Sequence, residues 1–206
     1  AVKSLGRPTI KAIIDERNKS RFTSMQDFIS RLYTDLNKRT LENLIKSGAF
    51  DTFGNNRRQM MSVYARMLDN EAKQGKDAIS GQMSLFDLVD ESEKSQFEIK
   101  MPDVSEYTKE DILAFEKEVL GVYVSGHPLD EYAIVLEHVC NTHMSELDDK
   151  SALAGREITM GGIVTSVRRG ISKNGNPYGI AKIEDYSGSA EIPFFGNDWV
   201  TFQGYL

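Results

Sequence analysis

The sequence predicts an α+β chain of several parts: a mainly α-helical N-terminal region, a mobile acidic linker, and then a short antiparallel β region. Three observations carry that prediction. Apolar residues recur at helical spacing up to about residue 68. From about residue 156 they alternate instead, as half-buried strands do. Between these regions the charge reverses. Residues 1–68 hold 13 Lys and Arg against 6 Asp and Glu, residues 69–150 hold 7 against 20, and residues 151–206 hold 5 of each. A basic part can face phosphates, whereas an acidic part is repelled by them.

Each element follows from local pattern. TIKAIIDERN (9–18) carries Ile10, Ile13 and Ile14 on one helical stripe. Thr23 or Ser24 can cap a second helix that buries Phe28, Ile29 and Leu32. A third helix, about 38–47, places Leu41, Leu44 and Ile45 on one face and ends at Gly48. A fourth covers 55–73, opened by Asn55 or Asn56 and showing Met60, Met61, Val63, Tyr64, Met67 and Leu68. Residues 75–105 show no sustained period and carry seven acidic residues between Asp77 and Asp103, so they read as a mobile connector. Thr108 and Asp111 open a helix expected to bury Ile112, Phe115 and Val119. Pro128 suits the first turn of another, running to about Val139. EITMGGIVTSVRRG, the KNGN turn (173–176) and PYGIAKIEDYSGSAEIPFF then give three short strands. The expected segments are 1–74, 75–107, 108–150 and 151–206.

Composition narrows the function classes. No apolar run approaches the roughly 18 residues of a membrane span, so no membrane partner is expected. Cys140 is the only cysteine, which rules out an internal disulfide and a cysteine-rich zinc site, and makes a cytoplasmic location the default. His127, His138 and His143 lack a joint metal spacing, and a turn or cap role suits His127. Glu116 and Glu118 sit two apart on a helix, so they diverge and read as a solvated face rather than an acid pair. Asp148-Asp149 lacks a third acidic partner for two-metal chemistry. No catalytic residue, metal ligand or cofactor is expected in this chain, and a standalone enzyme is the least favoured class.

Two stretches point to binding. SLGRPTIKAII reads as a tight turn at Gly6 that feeds a helix N-terminus, whose free amides and positive potential suit a phosphate. Lys3, Arg7 and Lys11 surround that turn, while Pro8 removes one amide. Arg57 and Arg58 open the fourth helix and join the candidates for phosphate contact. GQMSLF (81–86) places Met83, Leu85 and Phe86 within a polar acidic stretch, and exposed apolar clusters tend to mark contacts.

SLGRPTIKAIIDER with LNKRTLENLIKSGAFDTFG resembles the helix-hairpin-helix region of the bacterial replicative DNA polymerase III alpha subunit. LIKSGAFDTFG (44–54) is the more specific part; in the hairpin, Pro8 stands where the family has a second glycine. LGVYVSGHPLDEY (120–132) and GGIVTSVRRGISKNGNPYGIAKIEDYSGSAEIPFF (161–195) resemble the same subunit ahead of and within its OB domain. QMSLF resembles its clamp-binding pentapeptide, with Gln82, Ser84, Leu85 and Phe86 matching and Met83 conservative.

That resemblance implies a non-catalytic piece of a DNA-directed DNA polymerase, whose palm and magnesium lie elsewhere in the parent. It implies a basic helix-hairpin-helix region on duplex DNA, a tether from Gln82 to Phe86 to the sliding clamp, and a partial OB domain on single strands. Arg168, Arg169, Lys173 and Tyr178 are the single-strand candidates, since such folds combine basic grooves with stacking aromatics. Phe194 and Phe195 are adjacent, so only one can face the core. A five-stranded barrel needs more chain than three strands supply, and unpaired edges would invite self-association. Other replisome subunits are expected partners of the parent. The rival reading is a protein-interaction scaffold without nucleic-acid binding, which the net charge of −6 and Pro8 favour.

Overall fold

A computed structural model describes residues 2–79 and 99–206. Most of the expected acidic linker, including Gln82, Met83, Ser84, Leu85 and Phe86, lies outside the described residues. The chain divides into two compact units, Ala1–Ser125 and Gly126–Leu206.

The first unit is helical: α1 (Arg7–Lys19), α2 (Met25–Leu32), α3 (Lys38–Lys46), a 3₁₀ turn (Asp51–Phe53), α4 (Arg57–Ile79) and α5 (Lys109–Leu120). Its core joins Phe28, Ile29 and Leu32 of α2 to Leu41, Leu44 and Ile45 of α3 and to Met60, Val63 and Met67 of α4, all spaced for one helical stripe. Phe22, Phe28, Phe50 and Phe53 form a chain of rings through this core, with centroids 4.9, 5.0 and 5.7 Å apart. The caps follow the sequence. Ser24 accepts from the Asp27 amide, Asn37 from Thr40 and Thr108 from Asp111. Each satisfies an amide that a helix start leaves without a partner.

Three details depart from the sequence reading. α1 buries no residue; Ile13 is partly buried on the core, but Ile10 and Ile14 stay exposed. α4 runs on to Ile79, and Gly75 lies where its backbone meets the Tyr33 ring, leaving no room for a Cβ. In α5 the buried face is Leu113, Glu116 and Val119, while Ile112 and Phe115 are only partly buried. Residues 99–107 return to the start of α4. Asn56 donates to the Val104 carbonyl, Gln59 donates to the Pro102 carbonyl, and the Glu106 carboxylate accepts from the amides of Arg57 and Arg58. That carboxylate caps α4 and offsets its N-terminal potential.

The second unit holds a 3₁₀ turn (Asp130–Tyr132), α6 (Ala133–Val139), a second 3₁₀ turn (Met144–Asp148), α7 (Lys150–Leu153), then β1 (Ile163–Ile171), β2 (Pro177–Glu184), β3 (Ser189–Phe195) and α8 (Gly196–Phe202). The sheet is antiparallel in the order β1-β2-β3, with a register shift between Val164 and Ser166. The KNGN turn closes through Ser172 N–H to the Asn176 carbonyl, and Gly175 takes φ +80°. The helical part followed by an antiparallel sheet is the α+β class expected, consistent with part of an OB-like fold.

Two side chains fasten the second unit. Asp185 accepts from the Met144 amide, the Ser187 amide and hydroxyl, and the Gly188 amide. Burial works to raise its pKa, but these donors outweigh it and hold the carboxyl below its usual range. His127 takes a turn role: its Nδ1 accepts from the Leu129 amide, and its ring sits 4.5 Å from Tyr186, whose hydroxyl donates to Asp130.

Candidate nucleic-acid interface

The start of the first unit is a turn tied down from two sides. Asn43 Nδ2 donates to the Lys3 carbonyl at 2.7 Å, Thr40 Oγ1 to the Ser4 carbonyl at 3.4 Å, and the Lys3 amide to the Val119 carbonyl at 2.8 Å. Ser4 takes φ +64°, a left-handed conformation that these bonds over-determine. The chain then enters α1 with Gly6 as N-cap and Pro8 in the first turn. No side chain caps this helix, and no acidic residue lies in its first turn. Its amide end therefore keeps its positive potential.

Lys3, Gly6, Arg7 and Lys11 are all exposed around that helix start. Arg7 and Lys11 are one helical turn apart. Behind Lys3, a pocket of 370 Å³ is lined by Lys38, Arg39, Glu42, Asn43, Lys46 and Glu118. Its carboxylates are already engaged: Lys46 lies 3.0 Å from Glu42 and 3.2 Å from Glu118. Burial acts to discharge Lys46, but the two carboxylates more than restore its charge.

The two arginines that open α4 part company. Arg58 is exposed, with its guanidinium 5.9 Å from the Tyr107 ring centre. Arg57, expected beside it as a phosphate contact, points into the fold. It is 4% exposed and binds Asp51 at 2.7 Å, Glu116 at 3.0 Å and the Lys46 carbonyl at 3.1 Å. Gly48 makes this possible: at φ +77°, a Cβ there would collide with the Arg57 guanidinium and the Asp51 carboxylate.

Glu116 corrects the expectation of a solvated acid. It is fully buried, and its second oxygen accepts from the Val124 and Ser125 amides at 2.7 and 2.9 Å. Burial would raise its pKa; the two amides and Arg57 outweigh that and hold it below the usual range. Glu118 is half exposed, as a surface residue should be. Sequence spacing revealed nothing of the Arg57–Glu116 pair, because the partners are 59 residues apart.

In the second unit the strand register sorts the single-strand candidates. Arg169 pairs across from Gly179, and its guanidinium lies 5.7 Å from the ring of Trp199, which packs on that glycine. Arg168, one residue earlier, points to the other face and binds Glu191 at 2.6 Å. Tyr178 shares the face of Arg168, and Lys173 sits exposed in the hairpin turn. The arrangement brings Arg168 and Tyr178 to one side, assigns Arg169 to the packed side and leaves Lys173 in the turn between β1 and β2. It adds a residue that sequence reasoning left unassigned: Phe195, 59% exposed, lies directly across from Tyr178 on the Arg168 face. The signal for it was present, since two adjacent phenylalanines on a strand must diverge.

Among the described residues no three His, Cys, Asp or Glu side chains group to hold an ion. Asp149 spends its carboxylate on Ser151 and on the Ala152 amide at the start of α7. No helix among the described residues is long and apolar enough to cross a membrane.

Comparison with known proteins adds an independent line. Residues 1–60 match the family model of a helix-hairpin-helix motif. Over 204 residues the chain is 34% identical to DNA polymerase III subunit alpha of Mycobacterium leprae, covering 98% of this chain. It is 35% identical over 199 residues to the namesake of Helicobacter pylori, and 32% over 210 residues to that of Borreliella burgdorferi. It spans only 16 to 18% of the length of these relatives.

Proposed function

The chain belongs to the DNA polymerase III alpha-subunit family as one segment of it, and from that premise we propose that it holds the polymerase to DNA and to the sliding clamp without itself catalysing. The observation that carries the DNA part is the uncapped, exposed start of α1, ringed by Lys3, Arg7 and Lys11 with no carboxylate in its first turn. Such a site takes backbone phosphate without reading bases. Arg58 extends it as a surface cation; Arg57 serves the fold instead. Arg168, Lys173 and Tyr178 supply single-strand contacts from the sheet.

The clamp part rests on the sequence of Gln82 to Phe86. A short extended segment can dock Leu85 and Phe86 in pockets while Gln82 fixes the register. A tether of this kind raises the local concentration of polymerase at the primer end. Polymerisation and its magnesium belong to the remainder of the subunit, in the bacterial cytoplasm and alongside other replisome subunits. β1 and β3 are the outer strands of the sheet, and their edges are the surface through which copies would self-associate.

The test is duplex binding by anisotropy across a salt series, for the wild type and a Lys3→Ala/Arg7→Ala/Lys11→Ala variant. Affinity should fall steeply with salt, and the variant should flatten that slope. Salt-independent binding, or none at low salt, would favour the rival scaffold, which Pro8 and the internal use of Arg57 support.

A further inference from the structure

We infer that the outer face of α6 is a docking surface for a second protein, engaged through a segment that carries apolar side chains among Lys and Arg. The inference stands apart from the DNA reading and uses none of its residues. α6 buries no residue. Tyr132, just before it, is 58% exposed, and Ile134, Val135 and Val139 are 73%, 53% and 61% exposed. Single apolar residues are ordinary on a surface, but these four fall within residues 132–139 and form a patch. Val135 and Val139 lie one helical turn apart, as do Ile134 and His138, so they make two adjoining rows. Glu131 leads into the patch and Glu137 lies one turn from Ile134; both are exposed.

Local structure holds this face outward. Leu136, on the opposite side of the helix, and Cys140 lie against the backbone of Gly161, where a Cβ would collide with the leucine. Beyond the helix, the Asn141 amide donates to the Thr159 carbonyl at 2.9 Å. Its side chain donates to the Glu157 carbonyl at 3.2 Å and accepts from the Thr159 amide at 2.9 Å. Before the helix, Leu129 is buried and Asp130 accepts from the Tyr186 hydroxyl at 3.0 Å. With both ends fastened, the patch is preorganised, and a partner that lands on it has little to order.

Charge selects the occupant. Residues 126–149 hold six Asp and Glu and no Lys or Arg. The phosphates of nucleic acid or of an anionic membrane are repelled by that surround. A protein segment with Lys or Arg beside its apolar residues instead seats the apolar side chains on Ile134, Val135 and Val139 and turns its cations to Glu131 and Glu137. An amphipathic helix presents both kinds of side chain at the spacing α6 offers. The partner is therefore a basic, amphipathic helical segment.

The experiment titrates the whole chain into two labelled amphipathic helical peptides, one of Leu and Lys and one of Leu and Glu, and reads anisotropy. We expect the wild type to bind the lysine peptide and not the glutamate peptide. Ile134→Ser/Val135→Ser/Val139→Ser, which leaves every charge in place, should weaken binding about 10-fold or more. Glu131→Lys/Glu137→Lys should weaken the lysine peptide and admit the glutamate peptide. Near-ultraviolet dichroism of Trp199 checks that the second unit is folded; if the serine variant fails that check, the charge variant decides alone. Equal binding of the two peptides by the wild type, or none, overturns the docking surface. So does a folded variant that binds as the wild type does, since the peptide would then sit on acidic residues elsewhere. Sedimentation velocity reads a further outcome: a dimer that the serine variant dissolves makes a second copy the occupant and overturns the basic partner. Duplex binding should be the same in all three proteins, so these outcomes leave the DNA reading untouched.

Discussion

Arg57 Nη2 stands 3.0 Å from Glu116 Oε1, with the two side chains 5% and 0% exposed. This pair joins the start of α4 to the middle of α5, and Asp51 and the Lys46 carbonyl complete the arginine's partners. A buried ion pair is weak evidence of net stability, but breaking one side of it strands the other charge.

Arg57→Ala should therefore destabilise the first unit by about 3–5 kcal/mol, read as a lower urea midpoint. A loss below about 1 kcal/mol would show that the site is wetter than its burial indicates. Any loss of DNA binding in this variant reports unfolding, so Arg58→Ala is the cleaner test of a phosphate contact.

Acid should loosen the same joint. The Glu116 pKa is lowered in the fold, so its contribution is fully present above the unfolded value and disappears as pH falls through the folded one. With an ordinary value of 4.5, that window opens below about pH 4.5. Urea midpoints between pH 7 and pH 3 should drop more for the wild type than for Glu116→Gln. Parallel profiles would reassign the acid sensitivity to Asp185, whose shift has the same sign.

Two glycines of similar backbone conformation should differ. Gly48 and Gly54 take φ +77° and +83°, but a Cβ at Gly54 meets nothing within 4 Å. Gly54→Ala should cost only the strain of the left-handed region, about 1 kcal/mol. Gly48→Ala adds displacement of the Arg57 guanidinium and should cost at least about twice that. Equal thermal shifts would mean the arginine relocates freely.

Leu85→Ala/Phe86→Ala should abolish binding to a bacterial sliding clamp while leaving duplex binding unchanged. Wild-type affinity in the micromolar range, about −8 kcal/mol, is expected for so short a segment. Clamp binding equal in both proteins would remove Leu85 and Phe86 from the contact.

Local signals were the legible ones. Capping at Ser24 and Thr108, the Gly48 stop, the KNGN turn and the α2–α4 core all follow from spacing within a few residues. What the sequence withheld was long-range. Nothing near Glu116 announces that a guanidinium will arrive from α4, so spacing predicts a buried face through Ile112, Phe115 and Val119 where the fold buries Leu113, Glu116 and Val119. The strap at 99–107 was hidden for the same reason, since its partners Asn56 and Gln59 lie far upstream. Arg168 and Arg169 are a different case. Their opposite faces follow from strand alternation alone, and grouping them by charge obscured it.

Because Ile99 and Met101 pack on the helical core and Glu106 clasps the first amides of α4, the chain between Ile79 and Ile99 is rooted in the same body at both ends. A force applied at Ile79 or at Ile99 therefore reaches the same compact unit. The load divides between the far end of α4, a rod about 34 Å long, and a strap sewn to its near end. Peeling Pro102, Val104 and Glu106 away would uncap α4 while its own apolar face stayed in the core, so the strap can give way before the helix does.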